Sequence, residues 1–246
     1  MDKKVFVNYI FDSSYSIEYG DYLLVFDYAK GILDLKESKN IIFFVSSKNE
    51  GHFTTEIFNI PEIKSVRYII NSDLSSLEKE DNIIYLNNDQ LSMRDLKIIY
   101  KSNQVDLIGP GEDINIEINN ECIDIKSIGF DEESMGYLVY IGPIRIFYGG
   151  ALDFDNMDMY ALENLIYELN EEEADIVFLP IDKMSSKSSK YLERIFREVD
   201  SQIFFPCKIG GIEEESIEFA KKYSSYNIDI RNIYKINDRI EIDLDY

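Results

Sequence analysis

Apolar residues come in short runs along the first half of the chain, each closed by a polar turn, and this texture predicts strands. KVFVNYI at 4–10 and SYSIEYGDYLLVFD at 14–27 predict three of them. Gly20-Asp21, between Tyr19 and Tyr22, is a turn signal that joins the second and third as a hairpin. Ala29-Lys30-Gly31 breaks the pattern, and 40–45 predicts a fourth strand. Further short strands are predicted at 63–71 and 82–86, each followed by a turn-prone polar stretch. From Asp95 the text alternates with period two in LKIIYKSN, INIEINN and CIDIKSIGF, as half-exposed antiparallel strands do. Segments 137–141 and 144–148 pair across Gly142-Pro143.

The last hundred residues read differently. Met157, Tyr160, Ala161, Leu165 and Leu169 fall at helical spacing, with Asn156 as the expected N-cap. DIVFLP and SQIFFP predict buried strands, 186–199 and 213–223 amphipathic helices, and 239–244 a closing alternating strand. Sheet-rich text followed by helix–strand alternation predicts an α/β (α+β) arrangement, with sheets packed face to face and helices outside. No short-period repeat and no Pro, Gly or Ser-rich linker divides the chain, so a single domain spanning 1–246 is expected.

Composition narrows the partners. A compact chain of 246 residues buries roughly 70–75% of its unfolded surface, enough for a core without metals or disulfides. Cys122 and Cys207 have neither disulfide nor metal spacing and are expected to be small buried hydrophobes. No apolar run reaches the ~20 residues of a membrane span, and MDKKVFVNYI lacks a signal-peptide layout, so the cytoplasm is the expected location. The formal net charge is −22, which leaves no basic surface for nucleic acid or anionic membrane. The remaining partners are an unknown small molecule or protein, in an unknown oligomeric state. The eighteen tyrosines are read as mostly amphipathic strand and surface residues, since a base-stacking platform needs a basic groove beside it.

Candidate chemistry concentrates in 41–54, IIFFVSSKNEGHFT, where an apolar strand stops at a polar loop that holds the chain's single histidine, His52. The ends of strands in α/β proteins are the usual place for chemistry. This stretch, with DSSYSIEYGDYLLVFDYAKG at 12–31, GFDEESMGYLV at 129–139, IFYGGALDF at 146–154, DIVFLPID at 175–182 and FFPCKIGG at 204–211, resembles the metallo-β-lactamase-fold hydrolases, nearest to a small bacterial branch. The resemblance implies a four-layer αββα sandwich. It also implies a metal site built from an HxHxDH motif, whose ligand positions fall here on Ser47, Asn49, Gly51 and His52. The bridging aspartate of the family falls on Ala151, its last histidine on Lys208, and the histidine of its HSS opening on Asp12. The aspartate that ends the hairpin is present as Asp27.

A hydrolytic zinc needs about three ligands from imidazole, thiolate or carboxylate, plus an open position for water. Glycine and alanine side chains supply no donor, and a lysine puts an ammonium where a cation would sit. The leading expectation is therefore a metal-free relative of these hydrolases, a pseudoenzyme with a binding or assembly role and no resident cofactor. One alternative is a hydrolase with a carboxylate-rich site drawn from Asp27, Glu50, His52 and Asp153, with Asp12 and Asp155 nearby, holding Mg²⁺, Mn²⁺ or Ca²⁺. A second is an acidic interaction protein that works through its exterior. Lys208 and Asp27 are expected to form a salt bridge in place of the lost cation. Ser47 is read as a strand-end cap rather than a nucleophile, and Gly149-Gly150 as a close backbone approach rather than a phosphate loop.

Overall fold

The computed structural model describes residues 4–35, 39–47, 49, 51–59, 65–72, 79–80, 83–84, 105–119, 121–130, 134–181, 185–210, 213–226 and 228–244. The chain opens with β1 (Val5–Phe11), β2 (Ser14–Tyr19), β3 (Tyr22–Phe26), β4 (Asn40–Val45), a 3-10 turn at Thr55–Asn59 and β5 (Ser65–Asn71). The short pair β6 (Lys79–Glu80) and β7 (Ile83–Ile84) follows, then β8 (Val105–Ile108), β9 (Asp113–Ile118), β10 (Glu121–Gly129), β11 (Met135–Ile141) and β12 (Ile144–Tyr148). The chain then alternates through α1 (Met159–Glu171), β13 (Ile176–Pro180), α2 (Ser186–Glu198), β14 (Ile203–Cys207), α3 (Glu213–Lys222) and β15 (Asp229–Ile230), and closes with β16 (Arg239–Ile242). Of the strand expected within 82–86, Ile83–Ile84 is strand and the rest lies outside the described residues, as does LKIIYKSN.

Two seven-stranded mixed sheets face each other, in the orders β16-β1-β2-β3-β4-β5-β8 and β15-β14-β13-β12-β11-β10-β9. The β2–β3 hairpin turns at Gly20, whose φ of 54° is open to glycine without a Cβ clash. Strands β12 to β15 are parallel and stacked in sequence order, so α1, α2 and α3 cross on one face. Phe196 of α2 meets Phe204 of β14 there, with ring centroids 5.1 Å apart. The outer face of the first sheet is covered differently: Leu23, Val25, Ile41, Phe43, Val45 and Ile70 pack under Phe53 and Ile57 and beside Leu33 and Leu35. β16 returns to pair antiparallel with β1, a join of the two chain ends that no local pattern encodes. Among the described residues no helix is long and apolar enough to cross a membrane.

Two expectations change. The N-cap of α1 is Asp158, whose carboxylate accepts the Ala161 amide at 2.8 Å. Asn156 instead donates its side-chain amide to Asp153, two residues before the cap position. Cys207 is buried, but Cys122 is exposed, because the outward phase of edge-proximal β10 puts it in solvent. The tyrosines include a buried set: Tyr9, Tyr15, Tyr22, Tyr137, Tyr148 and Tyr223 are all under 2% or at most 2% exposed. Several of them tie the two sheets together. Tyr15 donates to the Pro206 carbonyl at 2.5 Å, Tyr137 to that of Val45 at 2.6 Å and Tyr148 to that of Ser13 at 2.7 Å. Each of these three phenols fills the core with its ring and satisfies a backbone carbonyl with its tip, so its burial leaves no orphaned hydroxyl.

Burial pushes the hydroxyls of Tyr15, Tyr137 and Tyr148 well above their ordinary value, and that of Tyr68 up to about 12. Tyr22 also rises to about 12, through burial and then the charge of Glu121. A raised phenol binds its proton more tightly in the fold than in the unfolded chain. Its contribution is therefore complete below about pH 10 and is lost as pH climbs through the folded value. In an alkaline titration followed by phenolate absorbance and circular dichroism, these hydroxyls should ionise late and together with unfolding. Ionisation of all tyrosines near pH ~10 with the fold intact would contradict this.

Candidate functional site

The parallel strands of both sheets end at one rim of the sandwich. There β3 runs into Asp27, β4 into Ser46 and Ser47, β12 into Gly149-Gly150, and β14 into Lys208. The turn between β1 and β2, Asp12-Ser13, reaches the same rim, since Asp12 accepts the Gly210 amide at 2.8 Å and Ser13 accepts Tyr148. Asp12, Asp27 and Lys208 all have left-handed backbones, with φ of 51°, 46° and 56°. Conformations of this kind cost a non-glycine residue energy and persist only where surrounding contacts hold them.

Asp27 is the centre of those contacts. Its side chain is fully buried, and four donors converge on its carboxylate. The Ser46 amide lies 2.7 Å from Oδ1, while Oδ2 receives the Ser46 hydroxyl at 2.6 Å, His52 Nδ1 at 2.7 Å and the Tyr148 hydroxyl at 3.1 Å. An ionised carboxylate accepts only, so its two oxygens suit this crowd of donors. Burial, followed by the charge of Asp27, holds the Tyr148 hydroxyl in its protonated, donating form. The Asp27 amide meets the Phe44 carbonyl at 2.9 Å and its own carbonyl accepts Ser14 Oγ at 2.6 Å, so the backbone is fixed as well. A turn closed by the His52 amide on the Asn49 carbonyl, 2.8 Å, aims the imidazole at Asp27. With Nδ1 donating, the lone pair of a neutral ring lies on Nε2, and among the described residues nothing hydrogen-bonds that atom.

The other residues singled out in the sequence go elsewhere. Ser47 is buried, and its hydroxyl accepts the Asn49 amide at 3.3 Å, a turn-capping role. The backbone of Gly51 lies beside the Asp12 carboxylate, and Ala151 is buried without a donor. Asp153 turns its carboxylate into its own loop, accepting the amides of Asp155 and Asn156 at 2.9 and 3.4 Å. Asp155 accepts the hydroxyl of Ser188 at 2.5 Å and that of Ser185, at the start of α2. Glu50 lies outside the described residues. The expected Lys208–Asp27 salt bridge is not formed: the ammonium donates to the Leu152 carbonyl at 3.1 Å, and among the described residues no carboxylate pairs with it. His52, Ser46 and Tyr148 already satisfy Asp27, which removes the reason for that bridge.

Gly149 and Gly150 make the close approach that the sequence implies. A Cβ on Gly149 would lie 2.8 Å from the Phe178 carbonyl, and one on Gly150 2.5 Å from Ser46 Oγ. Sequence reasoning missed Ser46 and Tyr148, the two partners of Asp27 besides His52. The only local signal was a polar side-chain atom at the end of β12 and just past the end of β4.

No family model matches the chain. In sequence it is 24% identical over 217 residues to a "Probable DNA-directed RNA polymerase" from Agaricus bitorquis, taking in 85% of this chain and 16% of that one. The chain thus spans about a sixth of the length of that curated relative. In structure it is similar to Igni18, a metallo hydrolase from the archaeon Ignicoccus hospitalis, with a TM-score of 0.64, 11% identity and coverage of 98% and 100% of the two chains. It is also similar to YhfI from Bacillus subtilis, a metallo-β-lactamase fold protein, with a TM-score of 0.59, 13% identity and coverage of 98% and 100%. The fold is the metallo-β-lactamase fold. CmlA, a diiron β-hydroxylase from Streptomyces venezuelae, carries it over 55% of its length, at a TM-score of 0.62, 10% identity and 99% of this chain. These identities establish the architecture and leave the chemistry to the residues present.

Those residues do not fit the metal centre that the metallo-β-lactamase fold implies. A cation needs free oxygen or nitrogen lone pairs converging on one point. Here Asp27 Oδ2 is surrounded by three hydrogen donors, Lys208 brings a positive charge, and Gly51 and Ala151 bring nothing. Among the described residues no three His, Cys, Asp or Glu side chains are grouped as ligands. His52 Nε2 is a single donor where about three are required.

Proposed function

We propose that this chain uses the metallo-β-lactamase fold without the metal centre, as a binding or assembly protein in the cytoplasm whose partner is a small molecule or another protein. The observation that carries the reading is the saturation of Asp27. A carboxylate at the rim of the former ligand set is committed to Ser46, His52 and Tyr148, so it holds the strand ends together as a metal would, by hydrogen bonds alone. The net charge of −22 supports a partner other than nucleic acid.

Metal analysis of the purified full chain, paired with thermal unfolding with and without chelator, tests this. Well under one equivalent of zinc, manganese or iron per chain is expected, with a melting temperature that the chelator leaves unchanged. Near-stoichiometric, tightly held metal whose removal lowers the melting temperature would overturn the proposal, because a ligand that binds only the native state must stabilise it.

A further inference from the structure

The charges of this acidic chain are divided between two neighbouring helices. No Lys or Arg stands between Arg145 and Lys183, and the acids of α1 are Glu163, Glu168 and Glu171. Helix α2 has Lys187, Lys190, Arg194 and Arg197 against Glu193 and Glu198. Those four bases recur at i, i+3, i+7 and i+10, on the side opposite the buried Tyr191, Leu192, Ile195 and Phe196, and so form one outward ridge. The outward ridge of α1, opposite Leu162, Leu165, Ile166 and Leu169, consists of Tyr160, Asn164, Tyr167 and Glu171. Tyr160 is 79% exposed and Tyr167 60%, and Met159 on the same helix is exposed as well. Such a concentration of exposed apolar side chains marks a contact surface.

The two helices lie side by side and parallel. Glu163 is 3.5 Å from Arg194, and further along the Asn170 side chain donates to the Glu198 carbonyl at 2.8 Å and accepts the Asp200 amide at 3.1 Å. Counting from these contacts places Tyr160 within a turn of Lys190 along the shared direction, and Tyr167 within a turn of Arg197. Glu171 and Lys190 are exposed, with no ion pair or hydrogen bond among the described residues. Arg194 and Arg197 pair with Glu198 and Glu193 on their own helix at 2.8 and 3.5 Å, exposed contacts that contribute little.

We propose that this face docks a second copy of the chain about a two-fold axis parallel to α1 and α2 and midway between them, so that α1 of each protomer lies on α2 of the other. Tyr160 then meets the partner's Lys190 and Tyr167 the partner's Arg197, ring against cation, while the acids of α1 oppose the bases of α2. An axis across the helices would instead lay α1 on α1 and α2 on α2, acid on acid and base on base. A basic protein would suit α1 alone and leave the α2 ridge uncovered. Two helices of 13 residues each, about 20 Å long and about 10 Å apart, offer roughly 400 Å² a side. That is the size of a weak, reversible association. The net charge of −22 opposes it at long range, yet at ~0.15 M salt that repulsion is screened beyond about 8 Å. The contact rests on the assembly role proposed above, and association is measured apart from the metal content that tests the metal-free reading.

Sedimentation velocity of the full chain from about 1 to about 200 μM, at ~0.15 M salt, tests this. The parent is expected to shift from monomer towards dimer across that range. Lys190→Glu with Arg197→Glu sets acid against acid, and Asn164→Lys with Glu171→Lys sets base against base. All four residues are exposed, so both variants should keep the parent's melting temperature and stay monomeric. An equimolar mixture of the two should dimerise, since each α1–α2 contact again joins opposite charges. Both variants remain strongly acidic overall, so recombination draws on the local ridges alone. Tyr160→Ser with Tyr167→Ser, which leaves the charge unchanged, should weaken the dimer by about tenfold or more. A parent that stays monomeric throughout would overturn the proposal. So would a dimer that either charge variant or the tyrosine variant leaves intact, or charge variants that fail to recombine on mixing.

Discussion

Asp27→Ala is expected to destabilise the protein by about 3–5 kcal/mol, the usual cost of removing one side of a buried charged cluster. At this chain length that lowers the melting temperature by about 10 °C. The substitution strips the acceptor from the Ser46 amide, the Ser46 hydroxyl, His52 Nδ1 and the Tyr148 hydroxyl at once, inside a site with no solvent to replace it. Asp27→Asn separates the parts of this effect. Asparagine tolerates the left-handed φ of 46° better than most residues, so the backbone contribution is kept small. Its amide nitrogen, placed at Oδ2, can donate to His52 Nδ1 only if the imidazole moves its own hydrogen to Nε2. The Asn variant should therefore be intermediate in stability and should switch the histidine tautomer. Because the chain has one histidine, a nitrogen NMR spectrum of the ring reports this without assignment. An Asp27→Ala variant within about 1 kcal/mol of the parent, an ordinary surface-like effect, would show that the cluster does not hold the rim together.

The same residues show what the sequence could and could not disclose. Strand β10 was legible because burial alternates along it, leaving Cys122, Asp124 and Lys126 less buried than Ile123 and Ile125. The β2–β3 hairpin and helices α2 and α3 were legible for the same local reasons, a turn dipeptide and a 3.6-residue stripe. The pairing of β1 with β16 was not, since its partners lie at opposite ends of the chain. At the site, the missing metal donors were plain from residue type alone, because Gly51 and Ala151 have no ligand atoms in any conformation. What replaces them was not plain. Lys208 looked like the natural counter-charge for Asp27, yet its ammonium bonds the Leu152 carbonyl, while Ser46, His52 and Tyr148 fill the carboxylate. Charge type suggested a partner, but the carboxylate's donors come from Ser46, His52 and Tyr148 instead.

Gly150→Ala is expected to cost about 3–5 kcal/mol, combining a left-handed backbone at φ 54° with overpacking. The added Cβ would lie 2.5 Å from Ser46 Oγ, 2.6 Å from Ser46 Cβ and 2.8 Å from the Met135 carbonyl. None of these can simply swing aside. Ser46 is pinned at its hydroxyl and amide by Asp27 and at its carbonyl by Asn71, 2.9 Å away, while Met135 begins β11. The methyl therefore presses on the donor that holds Asp27, and the damage passes from one sheet to the other. Gly111→Ala is the control: φ is 75° there too, but nothing lies within 4 Å of its Cβ, so only the backbone cost of about 1 kcal/mol should appear. Adding Ser46→Gly to Gly150→Ala removes two of the three clashes, and the pair should be less damaging than the sum by about 1–3 kcal/mol in urea unfolding. Equal and mild effects at Gly150 and Gly111 would mean that the rim has room to spare. Strict additivity with Ser46→Gly would mean that the clash does not run through the Asp27 cluster.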